Sequence, residues 1–172
     1  TMNLFAAASQ PESKVRNVVV KSSTLVYGSH HADPVWFTES SRRSALPRHV
    51  VERTLMEVEG YVRDYAADNP HVSVSLLRFS NVLGEEIDTP ITRLLRRPFV
   101  PCIFGFDPRL QFVHETDVVR AMLFVLEHDV DGTYNVAGDG LLPWSEVIAL
   151  CGKRPWPLPP VGRGVAGAVL SR

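Results

Sequence analysis

Two short apolar runs bracket a long helical stripe, and that arrangement constrains the chain more than any other feature. Residues 15–20 end in Val18-Val19-Val20 and lead into Ser22-Ser23. An apolar, β-branched run of this kind reads as a strand covered on both faces, as parallel strands are. Between Pro47 and Asn69, Val51, Leu55, Val58, Val62 and Tyr65 recur at spacings of four, three, four and three, which makes one stripe on an amphipathic helix. Pro70 closes that helix, and Val72, Val74, Leu76 and Leu77 supply a second strand. Strand, crossover helix and strand form a βαβ unit, so the two strands are expected to run parallel.

The rhythm continues downstream. Asp117 to His128 reads as a helix with Thr116 as N-cap and Val118, Ala121, Met122 and Val125 turned inward. Thr133 to Ala137 reads as a third strand, and Pro143 to Leu150 as a last helix. The opening residues Thr1 to Ala8 are good helix formers that begin without a cap signal. The expected fold class is therefore α/β, built on a doubly wound parallel sheet. Residues 1–150 are expected to form one domain and residues 151–172 a Pro/Gly-rich tail, with Gly152 to Gly164 as loop or linker.

Charge and composition narrow the partners. A net charge of −1, with basic and acidic residues interleaved, provides no field for nucleic acid or an anionic membrane. No apolar run reaches the roughly 18 residues of a membrane span, and no leader-like segment opens the chain, so a cytoplasmic protein is expected. Cys102 and Cys151 lack the spacing of a disulfide framework or a zinc site. His30 and His31 are adjacent and point in different directions, so with Asp33 they read as a solvated loop. Gly162-Arg163-Gly164-Val165-Ala166-Gly167 formally matches a dinucleotide fingerprint. The run Pro157-Leu158-Pro159-Pro160 precedes it where a strand is required, so it is not read as a phosphate loop.

Four segments, taken in order, carry more information. They are Val18-Val19-Val20-Lys21-Ser22-Ser23-Thr24-Leu25-Val26-Tyr27-Gly28, Leu76-Leu77-Arg78-Phe79-Ser80-Asn81-Val82-Leu83-Gly84, Arg109 to Val118 with its Phe112-Val113-His114, and Gly132-Thr133-Tyr134-Asn135-Val136. Together they resemble the latter half of extended short-chain dehydrogenases/reductases of the NAD-dependent epimerase/dehydratase type. The resemblance implies a Rossmann-like sheet with a small substrate-binding lobe, of which residues 1–150 would be the C-terminal half. It implies Ser23 as the catalytic hydroxyl on the substrate's reacting oxygen, and Ser22, Phe79 and Ser80 as cofactor-binding residues. It further implies Asn81, Arg109 and Gln111 as substrate-binding residues, with NAD or NADP as cofactor in a longer chain. The substrate would be a sugar-nucleotide or another small molecule with a hydroxyl or carbonyl, and a homodimer is the assembly to look for. Residues 1–172 alone are not expected to hold the dinucleotide tightly, because the glycine-rich turn of the family is not among them.

The chain also departs from the pattern. The family's proton-transfer pair is a Tyr and a Lys four residues apart, on one helix face. In the family a glutamate commonly lies four residues after that Lys. Glu59, nineteen residues before Arg78, resembles it, and counting back from Glu59 the resemblance implies Leu55 in the Lys position and Val51 in the Tyr position. Both belong to the apolar stripe, so that face is expected to be packed. A register based on Glu57 would instead bring His49 and Arg53 to these places, at the expense of the spacing to Arg78. Arg109 sits one residue before the place where family members grip a diphosphate, and Leu110 takes that place, which weighs against a nucleotide-sugar.

Overall fold

The structure is a computed structural model that describes residues 2–30, 33–34 and 36–159. In chain order its elements are α1 (Met2–Ala8), β1 (Asn17–Ser23), a 3-10 turn (Thr24–Tyr27), α2 (Val50–Asp68), β2 (Ser73–Phe79), β3 (Asn81–Leu83) and α3 (Pro90–Leu95). There follow β4 (Phe99–Ile103), β5 (Arg109–Leu110), β6 (Phe112–His114), α4 (Glu115–Glu127), β7 (Gly132–Val136), β8 (Leu142–Pro143), α5 (Trp144–Leu150) and β9 (Arg154–Leu158). The described residues fall into two units, one drawn from residues 2–80 and 116–136, the other from residues 81–115 and 137–159.

The first unit is a parallel sheet of order β1-β2-β7 with helical cover. The central strand β2 is buried from Val74 to Phe79, with Leu76 and Leu77 almost inaccessible. Truncating either leucine to Ala costs about 2–5 kcal/mol by the usual sum of lost transfer energy and cavity. One core cluster joins Phe5, Val62, Tyr65, Val72, Val74 and Leu76, so α1 and the C-terminal half of α2 close this side of the sheet. The expected βαβ unit and parallel register are present, as are the helix from the stripe and the strand near Thr133. β1, expected to be covered on both faces, is only half-buried at Val18, Val19 and Val20, because among the described residues it pairs with β2 alone.

The second unit is assembled from short pieces. β3 pairs β6 in parallel, β4 pairs β9 in parallel, and β5 pairs β8 antiparallel. Leu95, Val100, Trp144, Val147 and Ile148 form its core. α3 starts at a reciprocal capping box, in which the Thr89 hydroxyl accepts from the Thr92 N–H while the Thr92 side chain accepts from the Thr89 N–H.

Two expectations give way here. Residues 154–158, read as part of a loop for their prolines, form β9. Arg154 N–H donates to the Pro98 carbonyl and Leu158 carbonyl accepts from Phe104 N–H, so the even-numbered residues of β9 face β4 and Pro155 and Pro157 point their backbone away. Proline fits a strand in that alternation because no ladder bond is asked of it. The helix expected from Asp117 begins at Glu115, which leaves Thr116 inside the first turn rather than at the cap. The GxGxxG stretch lies outside the described residues, as does His31.

Candidate functional site

In a parallel sheet the strand ends point one way, and ligands gather outside the carboxyl edge. Ser23 ends β1, opposite Phe79 in register, and Phe79 in turn lies opposite Val136. The Ser23 hydroxyl caps the 3-10 turn, accepting from Leu25 N–H at 3.3 Å. That bond uses one lone pair and leaves the hydroxyl proton to donate. Half-buried at a strand's carboxyl end, Ser23 is therefore held by its acceptor side and presents a donor.

Ser80 follows directly on β2 and is anchored by its N–H on the Val136 carbonyl at 3.0 Å. Its hydroxyl is buried and has no partner among the described residues. An unsatisfied buried hydroxyl costs on the order of 1–3 kcal/mol, which makes this atom a natural acceptor or donor for a bound group. Phe79 is 1% exposed, and its ring belongs to the core. Ser22 is also buried, and its hydroxyl donates to Glu59 Oε1 at 2.6 Å.

Ser22 thereby enters a polar network of which the sequence showed only two members. Arg78 meets Glu59 through two parallel bonds, Nε to Oε1 at 3.0 Å and Nη2 to Oε2 at 2.7 Å. Its remaining nitrogen, Nη1, donates to the Tyr27 hydroxyl at 2.8 Å and to the Glu39 carbonyl at 3.0 Å. Tyr27 passes its own proton to Asn135 Oδ1 at 2.7 Å, and Asn135 N–H donates to the Glu39 carboxylate at 2.9 Å. Burial works against the Arg78 charge, but the bonds from Glu59 and Tyr27 outweigh it and hold its pKa above the ordinary value. The Asn135 N–H in turn holds the Glu39 carboxyl below its usual range. The nineteen-residue spacing is thus a buried ion pair between α2 and β2, extended to β1, to β7 and to the loop at 37–39. Tyr27 and Asn135 stood in the recognised segments, but only a folded sheet brings residues 108 positions apart into hydrogen-bonding range.

The N-terminal turn of α2 is different. Val51, expected to be packed, is 59% exposed, and Leu55 is half-buried. Of the apolar stripe Val62 and Tyr65 are buried in the core cluster, Leu55 and Val58 are half-buried, and Val51 in the first turn is exposed. His49 is the N-cap residue, and its carbonyl accepts from Arg53 N–H at 3.2 Å. Both side chains are exposed.

In the second unit Asn81 and Gln111 come together. Asn81 Nδ2 and its backbone N–H both donate to the Gln111 carbonyl, at 2.9 and 3.2 Å, and Gln111 Nε2 donates to the Gly138 carbonyl at 2.8 Å. Each amide keeps its side-chain oxygen as an acceptor. Arg109 and Leu110 are neighbours on β5 and so face opposite ways. Arg109 is exposed, while Leu110 packs against the core of this unit. Among the described residues no group of three or more His, Cys, Asp or Glu side chains could hold a metal ion. Asp33 turns to the Ser44 hydroxyl and the His30 N–H, which lower its pKa. No helix among the described residues is long and apolar enough to cross a membrane.

Comparison with known proteins gives the family and the fold. The model of the NAD dependent epimerase/dehydratase family matches residues 1–137. Uncharacterized protein Rv0501 of Mycobacterium tuberculosis strain H37Rv is 40% identical over 161 residues, which cover 94% of this chain and 43% of that protein. The chain therefore spans less than half the length of this relative. Among solved structures, UDP-N-acetylglucosamine 4-epimerase from Bacillus cereus superposes with a TM-score of 0.70 at 17% identity, over 98% of this chain and 62% of its own. MoeE5, in complex with UDP-glucuronic acid and NAD, gives 0.72 at 26% identity, over 93% and 56%. These likenesses establish a Rossmann-type fold.

Proposed function

The chain belongs to the NAD dependent epimerase/dehydratase family, and on that premise we propose that residues 1–150 are the C-terminal half of an NAD(P)-linked epimerase, dehydratase or reductase. Its substrate is a sugar-nucleotide or another small molecule carrying a hydroxyl or carbonyl. When bound, the cofactor would take a hydride from the substrate or return one. The observation that supports this most is Ser23, whose hydroxyl accepts from the Leu25 N–H and keeps its own proton free to donate, at the carboxyl end of a parallel strand. Ser23 would donate to the substrate's reacting oxygen. Ser80, whose buried hydroxyl lacks a partner, fits a role in holding the cofactor. Ser22 and Phe79 serve the same role indirectly, one through Glu59 and one through the strand it anchors. Asn81, Gln111 and the exposed Arg109 are the substrate-binding residues of this reading.

The proton-transfer step departs from the family. Val51 carries no ionisable proton, and neither does Leu55, so a phenolate mechanism is not available at these places. Of the ionisable residues nearby, His49 and Arg53 are exposed on the same helical turn. A second reading follows from the same observation: the protein kept the fold and the binding but not the turnover.

The test is titration of NAD(H) and NADP(H) into residues 1–172 and into a longer chain that includes a glycine-rich turn. Micromolar binding by the longer chain and none by residues 1–172 is expected. No binding by the longer chain would overturn the proposal. Binding without turnover, even with His49 intact, would favour the second reading. Homodimer formation belongs to the same proposal and is read by sedimentation of the longer chain.

A further inference from the structure

The second unit contains a cavity of about 230 Å³ beside α5. Its wall includes Leu94, Cys102, Phe106, Leu110, Trp144 and Leu158, and every other residue lining it is Ile or Pro. Among the described residues of that wall the one side-chain nitrogen donor is Trp144 Nε1, and it already donates to the Pro101 carbonyl at 3.1 Å. Among the described residues no charged side chain lines the space. Arg109, next to Leu110 in sequence, turns away from it because Leu110 supplies the wall, and Arg93, next to Leu94, pairs instead with Asp88.

We propose that this cavity is a binding site for an uncharged, apolar group the size of a fused bicyclic ring or a medium alkyl chain. Size sets the scale: the space is partly open to solvent, and an enclosed apolar cavity of about 150 Å³ already accommodates benzene. Chemistry sets the class. A nucleotide base or a phosphate seated against this wall would give up its hydrogen bonds to water on the buried side and find no side-chain partner in return, which is unfavourable. An apolar group gives up nothing and covers the rings of Phe106 and Trp144. Where the family resemblance expects a guanidinium to meet a diphosphate, this chain has Leu110, and Leu110 is part of the wall. The inference goes beyond the proposed chemistry and concerns the second unit by itself, so it stands or falls independently of cofactor binding.

Cys102 provides the readout. It lines the cavity and is half-buried, whereas Cys151 is exposed and lies elsewhere on α5's C-terminal side. Residues 1–172 are alkylated with N-ethylmaleimide in the presence of indole, of uridine diphosphate, or of neither, and each cysteine is followed by mass spectrometry. Indole at about four times its Kd is expected to slow Cys102 roughly fivefold, the effect of about four-fifths occupancy, while Cys151 keeps its rate and uridine diphosphate changes neither. Protection of Cys102 by uridine diphosphate but not by indole would overturn the proposal, as would equal rates in all three samples. Leu110→Arg is expected to abolish the indole effect; if that variant fails to fold, the comparison in the unaltered chain still decides. A folded Leu110→Arg protein that indole protects as before would also overturn it.

Discussion

Replacing Glu59 by Gln removes one charge from the centre of the buried network while keeping its shape. Arg78 would then retain the Tyr27 hydroxyl, the Glu39 carbonyl and one bond to the Gln oxygen, but would lose the carboxylate charge and one of its two parallel bonds, since the Gln amide nitrogen is a donor facing a donor. The side chains of this pair are 9% and 3% exposed, so water cannot substitute for the missing carboxylate. Breaking a buried pair from one side costs about 3–5 kcal/mol, because the remaining charge is left uncompensated. With a urea slope of about 2 kcal/mol/M for a chain of this size, the unfolding midpoint should fall by roughly 1.5–2.5 M. The paired replacement Glu59→Leu with Arg78→Met should recover much of that loss, since an apolar pair carries no such debt, although Ser22 and Tyr27 would each lose a partner. Equilibrium urea unfolding of the three proteins decides. A Glu59→Gln loss below about 1 kcal/mol, the range of exposed ion pairs, would show that the network is hydrated and the argument from burial mistaken.

Three further outcomes are expected. Burial pushes the Glu52 carboxyl up, but the Arg43 side chain and the Arg48 N–H pull it below its usual value; its stabilising effect is therefore complete above the unfolded pKa and lost as pH falls through the depressed folded one. Urea midpoints of the native chain and Glu52→Gln should converge on acidification, and a gap that stays constant would contradict the assignment. Val51→Tyr, at a side chain 59% exposed, should change stability by no more than about 0.5 kcal/mol, so a thermal shift of many degrees would mean that this turn is covered. Ser23→Ala in a longer, cofactor-binding chain should change NAD affinity less than tenfold, about 1.4 kcal/mol, while lowering any turnover. A larger loss of affinity would move Ser23 from the substrate to the cofactor.

The first unit was legible in the sequence because periodicity and burial coincide there. Val62 and Tyr65 recur at helical spacing and are buried, and β2 reads as an apolar run and is central. The same logic failed at Val51, since a stripe reports which face is apolar and not how far along the helix a partner extends. β3, β4, β5, β6 and β8 are two to five residues long, too short for an alternating pattern to emerge. At the site, Ser22 and Ser23 are adjacent and equivalent in sequence; only the fold sends one hydroxyl inward to Glu59 and leaves the other at the strand end. The unpartnered hydroxyl of Ser80 has no sequence signature at all.

The alternation of prolines in β9 has a consequence for association between chains. A strand at the margin of a sheet normally offers both donors and acceptors along its outer side, and a passing extended segment can zip onto it. On β9 the outward positions are Pro155 and Pro157, which present carbonyls and no N–H groups. An incoming strand would meet a row of acceptors interrupted by pyrrolidine rings, and half of its ladder could not form. The β4–β9 pair is thus chemically terminated on that side, like a polymer end that cannot add another monomer, and Trp156, 54% exposed beside it, can stand in solvent without the backbone around it seeding a growing sheet.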